Sequence, residues 1–328
     1  MELKDKDIKL LVNLFKNSKK SNRELSKLCG YSKETIASKI NFYEKNNYIK
    51  SFSVKINYNK LDFQEFNLFL RLKNMNQKIF KQIILYFENH KNVTWIGKSF
   101  GKYDLKISLI LKNPKEINNL ITQISNKYGK YIDLIDSLII IDKFKASSQT
   151  FLNNLFEKKI QDTKPIISKK IKQKKEISID EIDKQILYLL GENPKKSLIS
   201  ISKKFNFTPE TIKYRIKNLE KQQIITGNSI VFNGNKFNKI WCLVLLNINP
   251  QTIEDFKKYL KQQTFLSNYS ETLGIWNFNV TFFAKDIQGL YNDLNTLRNE
   301  FSQSIRNFEF LIFFDIYKYP KIPKCILE

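Results

Sequence analysis

Chemistry in this 328-residue chain would have to be built from a short supply of reactive side chains. The one histidine, His90, and three cysteines, Cys29, Cys242 and Cys325, stand far apart with no Cys-x-x-Cys. That leaves no pattern for a structural zinc site, a disulfide framework or paired imidazoles. Acid–base work would fall to carboxylates, lysines or tyrosines. No metal and no cofactor are expected, and His90, in FENHKN where a helix should give way to a strand, reads as a surface or capping residue. Cations, by contrast, are plentiful: Lys+Arg 56 against Asp+Glu 32, a net charge of +24. Such an excess suits a polyanionic partner. However, only five of the cations are Arg (Arg23, Arg71, Arg215, Arg298, Arg306), and a chain so rich in Lys, Asn, Ile, Phe and Tyr also fits an AT-rich genome. Placement therefore matters more than total. The net charge is +6 over 1–50, +8 over 51–145, +5 over 146–178, +3 over 179–232 and +2 over 233–328, so the densest basic segment lies mid-chain.

The elements that must position these charges are set by an internal repeat. A shift of 176 residues aligns 7–50 with 183–226 without a gap, through Leu11/Leu187, Leu14/Leu190, Asn17/Asn193, Lys19/Lys195, Ser21/Ser197, Ser26/Ser202, Glu34/Glu210, Thr35/Thr211, Ile36/Ile212, Ile40/Ile216, Glu44/Glu220 and Ile49/Ile225. Further on a shift of 173 pairs Gly101-x-Tyr103-Asp104 with Gly274-x-Trp276-Asn277.

Each copy opens with three helices. Ile8, Leu11, Leu14 and Phe15 recur at helical spacing, as do Ile182, Ile186, Leu187, Leu189 and Leu190. In SNRE, Ser21 and Glu24 form a capping box, and Gly30 suits a left-handed helix end. The third helices start at Ser32 and at Thr208, where Pro209 fits the first helical turn. Two short helices, a tight turn and a third helix make a helix-turn-helix. The period then changes. Strands are predicted at 52–58, 65–73, 98–112 and 132–144 with helices near 76–89 and 114–128. In the second copy strands fall at 241–248, 268–284 and 305–317, with helices near 251–262 and 286–301. The order β-α-β-β-α-β is the ferredoxin-like plan, a four-stranded sheet backed by two helices, so the fold class is α+β. Five segments result: heads at 1–50 and 179–232, ferredoxin-like domains at 51–145 and 233–328, and a basic linker at 146–178, within which 150–160 could form a short helix. As flexible coil the linker would span about 30 Å, comparable with the roughly 34 Å of one DNA turn between half-sites.

These residues resemble a known family. The run DKQILYLLGENPKKSLISISKKFNFTPETIKYRIKNLEKQQII, followed by a ferredoxin-like domain with Gly-x-Tyr-Asp in its central hairpin, looks like the leucine-responsive (Lrp/AsnC, feast/famine) regulators, here present twice in tandem. The resemblance implies a cytoplasmic, non-enzymatic, sequence-specific regulator of transcription. It implies double-stranded DNA as partner, an amino acid or other small effector, and dimerisation through the ferredoxin-like domains, met here by an intramolecular pseudo-dimer or a homo-oligomer. A helix fits the major groove with its N-terminal side chains at base edges. Carried over, the motif places Ser32, Lys33, Glu34, Thr35, Ser38 and Lys39 of the first copy, and Thr208, Glu210, Thr211, Tyr214, Arg215 and Lys217 of the second, on DNA. The bland alternative is ordinary caps and solvated charges. The two helices differ, Ala37 and Ser38 standing opposite Lys213 and Tyr214.

For the effector the resemblance points to Gly101, Tyr103 and Asp104, and to Gly274 and Asn277. The alternative is that Gly101 only turns a hairpin and Tyr103 packs on the sheet. Asn277 lacks the charge that would attract an ammonium group. Trp95, Trp241 and Trp276 are expected in cores. Two further functions stay open: a weakly specific architectural DNA-binding protein, for which abundant Lys suffices, and a sirohaem decarboxylase. The latter enzymes resemble the same family, and the resemblance associates them with His and Arg at the substrate, whereas this chain has one His and no Arg in either hairpin loop. A charged N-terminus and the lack of any apolar run near 18 residues predict neither a signal peptide nor a membrane span.

Overall fold

The computed structural model describes residues 3–145, 148–156, 179–263 and 266–328. The first copy runs α1 (Asp5–Lys16), α2 (Asn22–Cys29), α3 (Lys33–Lys45), β1 (Ile49–Ile56), β2 (Gln64–Leu72), α4 (Gln77–Asn89), β3 (Val93–Gly101), β4 (Leu105–Leu111), α5 (Pro114–Tyr128) and β5 (Ile132–Lys145). A short helix α6 (Ser148–Phe156) follows. The second copy runs α7 (Glu181–Glu192), α8 (Leu198–Phe205), α9 (Pro209–Lys221), β6 (Ile225–Phe232), β7 (Ile240–Ile248), α10 (Ile253–Gln262), β8 (Leu266–Leu273), β9 (Phe278–Ala284), α11 (Ile287–Glu300) and β10 (Ile305–Lys318). The rest of the basic segment read as a linker, 157–178, lies outside the described residues.

Two compact units emerge, and neither corresponds to one copy. The first gathers both heads, residues 1–63 and 169–233, with the C-terminal 319–328; the second gathers 64–168 with 234–318.

In the head unit the local signals act as expected. Ser21 and Glu24 complete their capping box, and Gly30 closes α2 at φ +69°. Its counterpart Asn206 closes α8 at φ +54°, the non-glycine residue type that best tolerates that region. Strand β1, read from sequence as part of the ferredoxin-like domain 51–145, instead belongs to the head unit, where it pairs antiparallel with β6. Ser53 stands opposite Ser229, Phe52 opposite Ile230 and Val54 opposite Asn228. Since 53 and 229 are the same position of the repeat, a pseudo-twofold axis passes between them. The heads exchange contacts about that axis: Lys19 lies 3.8 Å from Glu220, and its counterpart Lys195 lies 2.9 Å from Glu44. Strand β6 had no sequence reading, because Gly227 and Asn228 interrupt its apolar run. Residues 319–328 pack beside α7, where Ile322 approaches Gly191 so closely that a β-carbon there would fall 2.5 Å from its side chain.

In the second unit each copy supplies four adjacent strands, in the orders β3-β4-β2-β5 and β8-β9-β7-β10. That is the ferredoxin-like order. The two sheets do not end separately: β5 pairs with β8 and β10 with β3, closing an eight-stranded barrel without edges. Alternation along the strands sorts the core. Leu68 and Leu70 pack toward α4 and α5, whereas Phe69 points the other way into a cluster with Trp95, Tyr103, Leu243, Trp276 and Leu311, drawn from both copies. Helix α6 packs on β8 and β9, with Leu152 and Leu155 buried.

Candidate nucleic-acid interface

The third helix of each head is held by the two before it. Ile36 and Tyr43 of α3, and Ile212, Ile216 and Leu219 of α9, face inward and are buried. The helices start on hydroxyl caps: the Thr35 amide donates to Ser32 Oγ (3.1 Å) and the Thr211 amide to Thr208 Oγ1 (3.2 Å). Ser32, Lys33, Glu34 and Ser38 are exposed on α3, as are Thr208, Glu210, Tyr214 and Lys217 on α9; Thr35 and Thr211 are half-buried beside their caps. Glu34 and Glu210 in the first turns suit the helix dipole but repel phosphate, so phosphate contact would fall to the neighbouring lysines.

Lys39 and Arg215, read from sequence as facing DNA, are engaged inside their own heads. They occupy the same repeat position and grip the same partner position. Lys39 Nζ lies 2.7 Å from Asp7, and Arg215 Nη1 lies 2.9 Å from Asp183 and 2.8 Å from Asp180. The copies solve the same problem differently. Asp7 also accepts from the Tyr31 hydroxyl at 2.9 Å; position 207 is Phe, without a hydroxyl, and Arg215 lies 5.8 Å over its ring. Burial alone would raise the Asp7 carboxyl, but the bonds from Lys39 and Tyr31 outweigh it and hold it below its ordinary value. Asp180 is lowered in the same sense: burial is outweighed by the Asp183 amide and by Arg215.

Lys213, set against Ala37 from the sequence, was not among the residues placed on DNA. It is exposed on α9, four residues before Lys217 and next to Tyr214, which is 71% exposed. The i, i+4 spacing was the signal that could have found it. The first copy carries Ala37, Ser38 and Asn41 at those three positions, all exposed. The face of α9 is thus richer in long donors than that of α3.

The hairpin residues assigned to an effector are occupied by the fold. Gly101 (φ +136°) and Gly274 (φ +145°) need glycine: a β-carbon would fall 2.2 Å from the Phe310 carbonyl oxygen in one and 2.6 Å from Leu138 in the other. Tyr103 is fully buried, donates to Asp136, and accepts from the Trp276 indole at 3.3 Å. Burial and then Asp136 raise its pKa. Asp104 accepts from the Leu72 amide at 2.7 Å, and Asn277 does the same for Ile248 at 2.8 Å while also donating to that residue's carbonyl at 2.7 Å. These polar groups pin each hairpin to the neighbouring strand end, which leaves Asn277 equivalent to Asp104 as a support and not as a charge. His90 caps the C-terminus of α4, its Nδ1 accepting from the Asn92 amide at 3.3 Å.

The winged helix-turn-helix DNA-binding family model matches the chain twice, over residues 3–50 and 179–226. The two matches fall on the two heads. An uncharacterized HTH-type transcriptional regulator of Pyrococcus furiosus is 29% identical over 129 residues, covering 39% of this chain and 86% of that one. A relative about one copy long and two matches in one chain fit a tandem duplication. Among solved structures, Escherichia coli AsnC shares 21% identity at a TM-score of 0.38, covering 42% of this chain and 94% of that one. The siroheme decarboxylase NirDL shares 11% identity at a TM-score of 0.61, covering 96% of this chain and 93% of that one. At that identity the likeness is one of fold. Among the described residues no helix is long and apolar enough to cross a membrane.

Proposed function

We propose that this chain is a DNA-binding transcriptional regulator that presents two unlike recognition helices from one polypeptide. The observation that carries the reading is the exposed face of α9, with Lys213, Tyr214 and Lys217 beyond a capped N-terminus, in a head whose counterpart offers Ala37, Ser38 and Asn41. Long donors reach base edges and phosphates; the small side chains of α3 admit close approach and few contacts. The preferred operator therefore consists of two half-sites of different sequence, the one under α9 more strictly specified. The doubled ribbon β1–β6, which brings the heads together in one unit, supports action without a second chain. An amino acid caught at the hairpin loops would have to displace the bonds of Asp104 and Asn277, so that assignment is not part of the proposal.

Selection from a random duplex pool by the full chain, followed by salt-titrated binding, tests this. An asymmetric site preferred by roughly a thousandfold over random duplex is expected. Equal binding to every duplex would leave only a charge-driven coating protein. The fold of NirDL favours one enzymatic alternative. Release of carbon dioxide from sirohaem by the purified chain, independent of DNA, would establish it and overturn the regulator reading.

A further inference from the structure

The two copies differ most sharply in charge at a place that the DNA reading leaves unused. A cavity of about 920 Å³ opens in the first copy between α4, the loop before it, β3 and the end of β10. Phe80, Ile84, Leu85 and Tyr317 give it an apolar lining, and Lys81 and Lys98 bring amines to it. Phe80 lies 5.2 Å beneath the Lys98 amine, and Leu85 is exposed at 54%.

The corresponding place in the second copy carries acids and an aromatic stack of its own. Lys257, the counterpart of Lys81, lies 2.7 Å from Glu271 and 3.0 Å from Glu254. Glu271 occupies the position of Lys98 and Glu254 that of Lys78, so both acids that neutralise the lysine in one copy are lysines in the other. Phe144, in place of Tyr317, stacks on Tyr269 at 4.8 Å, where the first copy has the smaller Ile96. Helix α10 carries Glu254 and Asp255 in its first turn; α4 has no acid there. Among the described residues neither Lys81 nor Lys98 has an ion-pair partner. The other charges at the cavity are Lys73, 3.9 Å from Asp133, Asp104, held by the Leu72 amide, and Glu88.

Lys81 and Lys98 border one largely apolar recess with no ion-pair partner among the described residues, and the second copy shows how readily the same backbone accommodates an acid. We infer that the first-copy cavity binds an amphipathic organic anion, its head group between Lys81 and Lys98 and its apolar body on Phe80, Ile84, Leu85 and Tyr317. The volume lies at the upper end for small-molecule sites and exceeds what a single amino acid fills. Carboxylate and phosphate head groups share the chemistry required. Of the hairpin residues Asp104, held by the Leu72 amide, borders the cavity, and the site does not depend on DNA binding.

The probe is 1-anilinonaphthalene-8-sulfonate, titrated into the full chain by fluorescence and by calorimetry. One site per chain is expected. Lys98→Glu, which recreates the pair present in the second copy and therefore keeps the fold, should weaken binding at least tenfold; Lys81→Gln should also weaken it. N-phenyl-1-naphthylamine, which lacks the sulfonate, should be indifferent to both changes. Displacement of the probe by decanoate assigns a carboxylate ligand, displacement by decyl phosphate alone a phosphate, and decanol should displace neither. Affinity within twofold of the parent for Lys98→Glu with unchanged circular dichroism, two equal sites per chain, or displacement by decanol as effective as by the anions would each overturn the inference.

Discussion

Replacing Arg215 and replacing Lys217 should do different things, although the residues are two apart on α9 and carry the same charge. Arg215→Met removes two charge-assisted bonds. The bond to Asp180, 51% exposed, is worth 0 to about 1 kcal/mol after screening by solvent. Asp183 is 10% exposed, and stranding its carboxylate costs about 1–3 kcal/mol. Together the loss should be about 2–3 kcal/mol. Lys39→Met should cost less, about 1–2 kcal/mol, because Asp7 keeps the Tyr31 hydroxyl and the Lys4 amide. Lys217 is exposed and makes no ion pair among the described residues, so Lys217→Ala should change stability by no more than about 0.5 kcal/mol. It should instead weaken DNA binding and reduce the slope of log affinity against log salt by about 0.9. Urea unfolding followed by the helical signal and salt-titrated binding from 50 to 200 mM, done on the same three variants, separate the effects. A stable Arg215→Met with a shallower salt slope would refute the reasoning, since it would mean that the guanidinium leaves its carboxylates for a phosphate.

Three more outcomes follow from the geometry. Gly101→Ala and Gly274→Ala should each destabilise the barrel by about 3 kcal/mol or more, because strain at positive φ adds to a clash with the strand alongside; chemical denaturation of single variants checks this. Lys106, whose amine lies 4.7 Å over Trp95 and donates to Ser108 Oγ at 3.2 Å, is pushed down to about 7 by burial and then by Lys143, against the pull of Glu65. Its folded-state pKa lies below the unfolded one, so the unfolded chain binds the extra proton between pH 7 and about 10 and stability rises through that window; Lys106→Met should flatten the rise and stabilise the protein most at pH 7 and below, as read by thermal unfolding at pH 6.5 and 9.5. Asp7 and Asp180 are lowered, so their contribution is complete above the unfolded carboxylate range near pH 4 and fades as pH falls through their folded values; an acid titration of the helical signal should show the heads weakening only below about pH 4, with Asp7→Asn removing part of that dependence.

What was legible in the sequence was whatever a short window specifies. Caps such as Ser21, Ser32 and Thr208, the left-handed Gly30, and most helices and strands of the two β-α-β-β-α-β runs are local events, and local patterns located them, although the run read from 98 missed the start of β3. The β1–β6 ribbon and the closure of the barrel are pairings between residues about 120 to 220 positions apart, and no window holds both partners. Strand β1 looked like any other apolar run, and nothing within FSVKINY says that its neighbour will be ITGNSIVF. Charges were the least legible. Arg215 at the middle of a recognition helix looks like a DNA contact until Asp180 and Asp183 are seen beside it, and Asp104 looks like an ammonium ligand until the Leu72 amide is found on it. Long side chains choose partners in three dimensions, and spacing along a helix gives only the face from which they set out.

The tandem arrangement supplies a control that a single-copy chain would lack, because each position can be compared with its twin in the same fold. Some differences are compensated. Tyr31 with Lys39 becomes Phe207 with Arg215, whose Nη1 joins Asp183 to a second carboxylate, Asp180, where the first copy uses the Tyr31 hydroxyl. Asp104 becomes Asn277, and both hold a strand-end amide. Such exchanges conserve bonds and mark structure. Others are not compensated: Lys98 against Glu271 leaves Lys81 and Lys98 without an ion-pair partner among the described residues, and Lys213, Tyr214 and Lys217 against Ala37, Ser38 and Asn41 leave long donors reaching into solvent. A folded chain gains nothing from unmatched cations over an apolar recess or from an exposed tyrosine on a helix, since their interactions in the free protein are weak or repulsive. Differences of this second kind persist without a folding rationale, which is why the DNA face of α9 and the anion cavity of the first copy, and not the hairpin loops, carry the functional assignments.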